Sequence, residues 1–133
     1  MANKSKKILS EISAGELLDK ISILEIKLQK IKNKDSQNEI EKEYKVLKEA
    51  QKTNIEDTDN VRKLFDEIKL INLDLWDIED KIRICEKNKD FGKNFIDLAR
   101  KVYLTNDKRS KVKSKINEAL GSNIKEIKYY ENY

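Results

Sequence analysis

Apolar residues recur at helical intervals along most of the chain. Leu17, Ile21, Leu24, Leu28 and Ile31 follow one another at spacings of four and three, which predicts an amphipathic helix over about 13–33. Its opening, Ser13-Ala14-Gly15-Glu16, reads as a capping box: the Ser13 hydroxyl accepts the Glu16 amide and the Glu16 carboxylate reaches back. Ser36 and Glu39 repeat that signature ahead of Ile40, Tyr44 and Leu47, predicting a second helix over about 37–52 that the polar stretch from Thr53 to Asp59 ends. Val61, Leu64, Ile68, Ile71, Leu75, Ile78, Ile82 and Cys85 then hold three–four spacing without a miss. A helix over 58–88 follows, roughly 45 Å long at 1.5 Å per residue. The short turn Asn88–Gly92 sends a fourth helix, 93–120, back antiparallel, with Phe95, Leu98, Val102, Val112, Ile116 and Leu120 inward and Gly121 as a left-handed stop.

These elements predict an all-α fold, an elongated antiparallel helical bundle in which a long helical hairpin carries the N-terminal helices. Residues 1–133 form a single domain that closes on a C-terminal tail, 121–133. One departure from pure helix is expected at the ends, where Lys7–Ile12 and Ile124–Tyr130 are short, rich in Ile and Tyr, and able to pair as a two-stranded ribbon.

Composition narrows the chemistry. With no His and a single cysteine, Cys85, the chain has no means for His-based general base catalysis, nucleophilic dyads with His, a zinc finger or a disulfide framework. A lone thiol fits a reducing cytoplasm, and no apolar run reaches the length of a membrane span or forms the core of a signal peptide. Only four arginines (Arg62, Arg83, Arg100, Arg109) stand among 29 cations, so each marks a place where a planar, forked donor serves better than lysine. The net charge of +4 is uneven: it runs +2 over 1–12, −2 over 13–60, −1 over 61–90 and +5 over 91–133.

Candidate chemistry lies where polar residues interrupt the apolar stripes. At 100° per residue, Asn106, Arg109 and Lys113 fall within about 40° of the inward centre of the fourth helix, with Asn117 just beyond. On the third helix Glu79 and Glu86 flank Leu75 and Ile82, with Arg83 and Trp76 at the stripe's edge. On the first, Lys20 and Lys27 flank Leu24. Lys20, Lys27, Arg83, Arg109 and Lys113 against Glu79 and Glu86 leave about three uncompensated positive charges near a core, which calls for an anion, water or further acids such as Glu16.

A second face, Ile96, Arg100, Tyr103 and Asp107, extends the polar set, and Asp77 and Asp80 are expected beside Arg100. The acids at 74, 77, 79 and 80 turn different ways and lack His, so no metal site or other cofactor is expected. The run Lys108, Arg109, Lys111, Lys113, Lys115 points all round its helix, which disfavours a nucleic-acid interface. Leu70, Leu73 and Ile84 make a second apolar patch suited to another packed segment or a homodimer contact.

Three blocks in order, Glu11–Lys27, Leu75–Arg83 and Phe95–Arg109, resemble a small bacterial family of unknown function, DUF6165, and the resemblance spans nearly the whole chain. The resemblance implies a family pattern that includes the residues at Gly15, Glu16, Asp19, Lys20, Lys27, Trp76, Glu79, Asp80, Arg83, Arg100, Tyr103, Asn106, Asp107 and Arg109; the stretch 33–60 contributes little. It imports no activity. It does imply a link to surface-polysaccharide and glycosyltransferase functions, which makes an anionic sugar or nucleotide-sugar a natural ligand class.

The sequence thus predicts a cytoplasmic, non-enzymatic interaction or ligand-binding protein. An anionic small molecule or acidic protein partner would meet Lys20, Lys27, Glu79, Arg83, Arg100, Asn106, Asp107, Arg109 and Lys113. The alternatives are a small metal-free enzyme acting on an anionic metabolite, with Arg83 and Arg109 clamping the anion and Glu79 as acid or base, and a nucleic-acid binder using the basic last third.

Overall fold

A computed structural model describes residues 6–133, and among them four helices make up the fold: α1 (Ala14–Lys30), α2 (Lys34–Asn54), α3 (Asp59–Lys87) and α4 (Lys93–Ala119). Each of the first three begins where a side chain satisfies one of its leading amides. Ser13 Oγ accepts the Glu16 amide at 3.1 Å and Thr58 Oγ1 accepts that of Val61 at 3.2 Å. For α2 the cap is Asn33, whose Oδ1 accepts the Ser36 amide at 3.0 Å. The start of α2 therefore lies ahead of the predicted Ser36 cap, and α1 stops at Lys30. The Glu16 carboxylate does not close a capping box; it turns to Lys113 and Lys20 instead.

Both long helices end in the same hydrogen-bond pattern. After α3, the Asp90 amide donates to the Cys85 carbonyl (2.9 Å) and the Lys89 amide to the Glu86 carbonyl (3.1 Å), with Lys89 left-handed at φ 55°. After α4, Ser122 and Gly121 donate to Asn117 and Glu118, and Gly121 takes φ 58° without the cost a side chain would add. Helix α4 runs unbroken through Asn106.

The terminal segments meet through side chains, Asn123 Nδ2 donating to Glu11 Oε2 at 2.8 Å, and not as strands. No strand occurs among the described residues, and the expected ribbon is absent. Ile8, Leu9, Ile127 and Tyr129 are at least 84% exposed, so such a ribbon would have no apolar surface to pack on. The tail folds back instead: Glu126 meets Lys113, while Tyr133 stacks edge-on against Tyr103 and its hydroxyl donates to Asp107 on α4.

Two apolar clusters hold the helices. The larger gathers Leu17, Leu18 and Ile21 of α1, Val61, Leu64 and Ile68 of α3, and Val112 and Ile116 of α4, with Tyr44, Leu47 and Ala50 of α2 against it. The smaller contains α3 and α4 residues only: Ile78, Cys85 and Leu98, flanked by Ile82, Phe95 and Val102. Cys85 is a packed core residue. Helix α1 touches all three others, whereas α2 meets only α1 and buries no residue fully.

Candidate functional site

Because α1 is enclosed on two sides, it buries more than the stripe Leu17–Ile21–Leu24. Leu18, Asp19, Ser22 and Ile26 form a second buried face, and Asp19, an ionisable residue, is 1% exposed. Its carboxylate is fully engaged. Arg109 of α4 reaches it with a two-point fork, Nε to Oδ1 at 2.9 Å and Nη2 to Oδ2 at 2.6 Å. Asn72 of α3 donates through Nδ2 to Asp19 Oδ1 (2.9 Å) and to Ser22 Oγ (2.8 Å), and Ser22 Oγ donates to the Asp19 carbonyl (2.7 Å). Three helices thus share one buried carboxylate.

The network continues toward water. Lys113, one turn beyond Arg109, donates to Glu16 Oε2 at 2.7 Å and to Glu126 Oε2 at 3.1 Å, and its ammonium lies 3.9 Å from Asp19. Glu16 also faces Lys20 at 3.7 Å, and Arg109 Nη1 donates to Asn106 Oδ1 at 3.4 Å. One turn further on, Asn117 Oδ1 accepts the Gly15 amide at 2.7 Å, and Ser122 Oγ accepts the Ala14 amide at 3.1 Å. The first amides of α1 are therefore all in use and leave no anion site at that helix end. The register fits helices running antiparallel, since Gly15, Glu16 and Asp19 rise while Asn117, Lys113 and Arg109 fall. Gly15 is required by the close approach: a Cβ there would lie 2.6 Å from the Lys113 carbonyl oxygen.

Protonation states follow the pairing. The hydrogen bonds from Arg109 to Asp19 hold the guanidinium above its ordinary value against the opposing effect of burial. Burial alone would pull the Lys113 ammonium down, but bonds to Glu16 and Glu126 outweigh it and hold it up. Lys128 first, and Lys113 second, keep Glu126 below the usual carboxylate range.

Of the sequence-predicted residues, Lys20, Asn106, Arg109 and Lys113 come together here. The others do not. Glu79 and Arg83 pair with each other along the outer surface of α3, with Arg83 72% exposed, and no ion pair or hydrogen bond links them to Arg109. Lys27 is half-buried and forms no ion pair among the described residues. Arg100 is exposed and unpaired in the same sense, so the expected pairing with Asp77 and Asp80 is absent, and Asp107 receives the Tyr133 hydroxyl. The expected excess of three positive charges is largely cancelled by Glu16, as the sequence anticipated, and by Asp19 and Glu126 outside the predicted set. Asp19, Ser22 and Asn72 are the residues that stripe reading missed, whereas Asn117, expected just beyond the inward centre of the fourth helix, is buried against Gly15. The signal for the first two was present, since Leu18, Ser22 and Ile26 repeat every fourth position beside the main stripe.

The basic run divides in the same way. Arg109 and Lys113 turn inward to their acids, while Lys108, Lys111 and Lys115 are exposed. Among the described residues no group of three or more His, Cys, Asp or Glu gathers as a metal site, and no helix is long and apolar enough to cross a membrane. Leu70 and Ile84 are exposed on α3.

Fold and site together define an all-α bundle with a salt-bridged polar seam, organised around a buried Asp–Arg pair. Residues 8–133 match the family model described as Family of unknown function (DUF6165), and the chain belongs to that family. No curated protein and no solved structure matches it.

Proposed function

We propose that the protein is a non-enzymatic interaction protein that binds an anionic ligand or acidic partner at the solvent edge of this seam. One observation supports the reading. The helices bring Lys20, Arg109 and Lys113 against Glu16 and Asp19, three positive charges to two negative, so the helical frame keeps one unbalanced cation at its rim. A single surplus charge suits one carboxylate better than a phosphate dianion. Arg109 is committed to Asp19 and acts as a support. Lys113 and Lys20 are the groups that would meet the ligand. Acidic peptides and carboxylated sugars such as hexuronates are the natural candidates, the latter in keeping with the surface-polysaccharide link that the family resemblance implies.

Thermal denaturation against a panel of carboxylates, hexuronates, phosphorylated sugars and acidic peptides tests this. A ligand at about a hundredfold its Kd adds about 2.7 kcal/mol and raises Tm by several degrees. The shift should be lost in Lys113→Gln and reduced in Lys20→Gln. A panel without a Lys113-dependent shift would overturn the reading.

A further inference from the structure

The surplus cation is not bare. Glu126, on the extended tail after Ser122, places its carboxylate 3.1 Å from Lys113. It also lies close enough to raise the Arg109 guanidinium electrostatically. This carboxylate differs from the other two on Lys113. Asp19 is buried on α1, and Glu16 belongs to the first turn of the same helix. Glu126 belongs to a segment with no helix or strand, anchored through side chains: Asn123 on Glu11, Glu126 itself, and Tyr133 on Asp107 and Tyr103. Its neighbours Ile127, Tyr129 and Tyr130 are 84%, 95% and 69% exposed, so little burial holds it down. The Lys113 side chain is 12% and that of Glu126 42% exposed; a pair open to solvent on its Glu126 side contributes on the order of 1 kcal/mol, which a competing carboxylate can match.

We infer that Glu126 is an internal stand-in for the ligand: the rim of Lys113 and Lys20 is a carboxylate-binding site, and its partner is an extended acidic segment of another protein that displaces the tail. This rests on the proposed function and goes further by naming the partner's chemistry and the device that regulates access. The partner would share the chemistry of the occupant the site already has, a glutamate side chain on an irregular stretch of chain beside an apolar residue. The tail thereby raises the threshold for binding, and its release exposes the Tyr129 and Tyr130 surface on the free segment.

The test uses the full chain and a fluorescent peptide of residues 122–133 as probe. Glu126→Gln combined with Tyr133→Ala removes the two anchors on α4 and should bind the peptide about three- to tenfold more tightly than the unaltered chain, the range expected when one or two exposed contacts no longer compete. In that released background Lys113→Gln should weaken binding by up to about fivefold and Lys113→Arg should restore it, with melts showing that each variant is folded. Equal affinity for the released and unaltered chains, or affinity unchanged by Lys113→Gln, would overturn the inference. Competition by free glutarate as strong as by unlabelled peptide would overturn the assignment to a protein segment. The two readings fail separately. If panel ligands give a Lys113-dependent shift of equal size with and without the two tail substitutions, the anion site stands and the displaceable tail does not. If neither peptide nor panel binds any variant, both fall.

Discussion

Asp19 and Arg109 stand ninety positions apart and meet in a two-point salt bridge, with the carboxylate 1% and the guanidinium 28% exposed. Removing one member leaves the other's charge without its partner in a dry setting. Asp19→Ala should therefore cost about 3–5 kcal/mol in urea denaturation. Replacing both, as Asp19→Leu with Arg109→Met, should recover much of that loss. A double-mutant cycle with coupling under about 1 kcal/mol would contradict the buried fork.

Gly15 is a second point where α1 and α4 touch. Alanine normally favours a helix over glycine by about 1 kcal/mol. Here its Cβ would lie 2.6 Å from the Lys113 carbonyl oxygen and 3.0 Å from Asn117 Oδ1. Gly15→Ala should thus destabilise by about 1–3 kcal/mol as backbones separate, and calorimetry should read it as a lowered Tm.

Lys89 offers the opposite sign. It holds φ 55° at the end of α3, where a side chain is strained and glycine is not. Lys89→Gly should stabilise by about 0.5–1 kcal/mol, measured by the same melts. A loss of stability would mean that the Lys89 side chain does more than occupy the turn.

Tyr44 on α2 donates its hydroxyl to Glu25 of α1, which also pairs with Lys69 of α3 at 2.9 Å. Burial, then the bond to Glu25 and its negative charge, push the phenol up to about 12. The folded state thus favours the neutral phenol. That contribution is complete below the ordinary value of about 10 and is lost as pH rises from there through 12. In a near-ultraviolet titration of the five tyrosines, a late-ionising component should vanish in Tyr44→Phe and move down in Glu25→Gln.

The helices are largely readable because their signals are local. Thr58 and the eight-residue stripe ending at Cys85 identify α3 almost to the residue, and Gly121 marks the stop of α4. The α2 start is ambiguous in sequence because Asn33 and Ser36 are both good caps, and only the backbone path after Ile31 selects the former. The site is legible by half. Angular counting turns Arg109 and Lys113 inward, but assigning α1 a single buried stripe leaves Asp19 and Ser22 on the outside. Asn72 is hidden for a different reason. An asparagine between Ile68 and Leu75 reads as a lapse in a stripe until a carboxylate from another helix gives it a partner. Glu126 cannot be found by periodicity at all, since its position depends on how an irregular tail folds back.

The unequal sizes of the two apolar clusters give the molecule a direction. Where three helices interlock around Ile21 and Ile68, opening any one disrupts the others. Around Ile78 and Leu98 only two helices face each other. Cohesion therefore declines along the long axis, and amide hydrogens near the α3–α4 turn should exchange by small local openings while those near Ile68 wait for the whole fold to come apart.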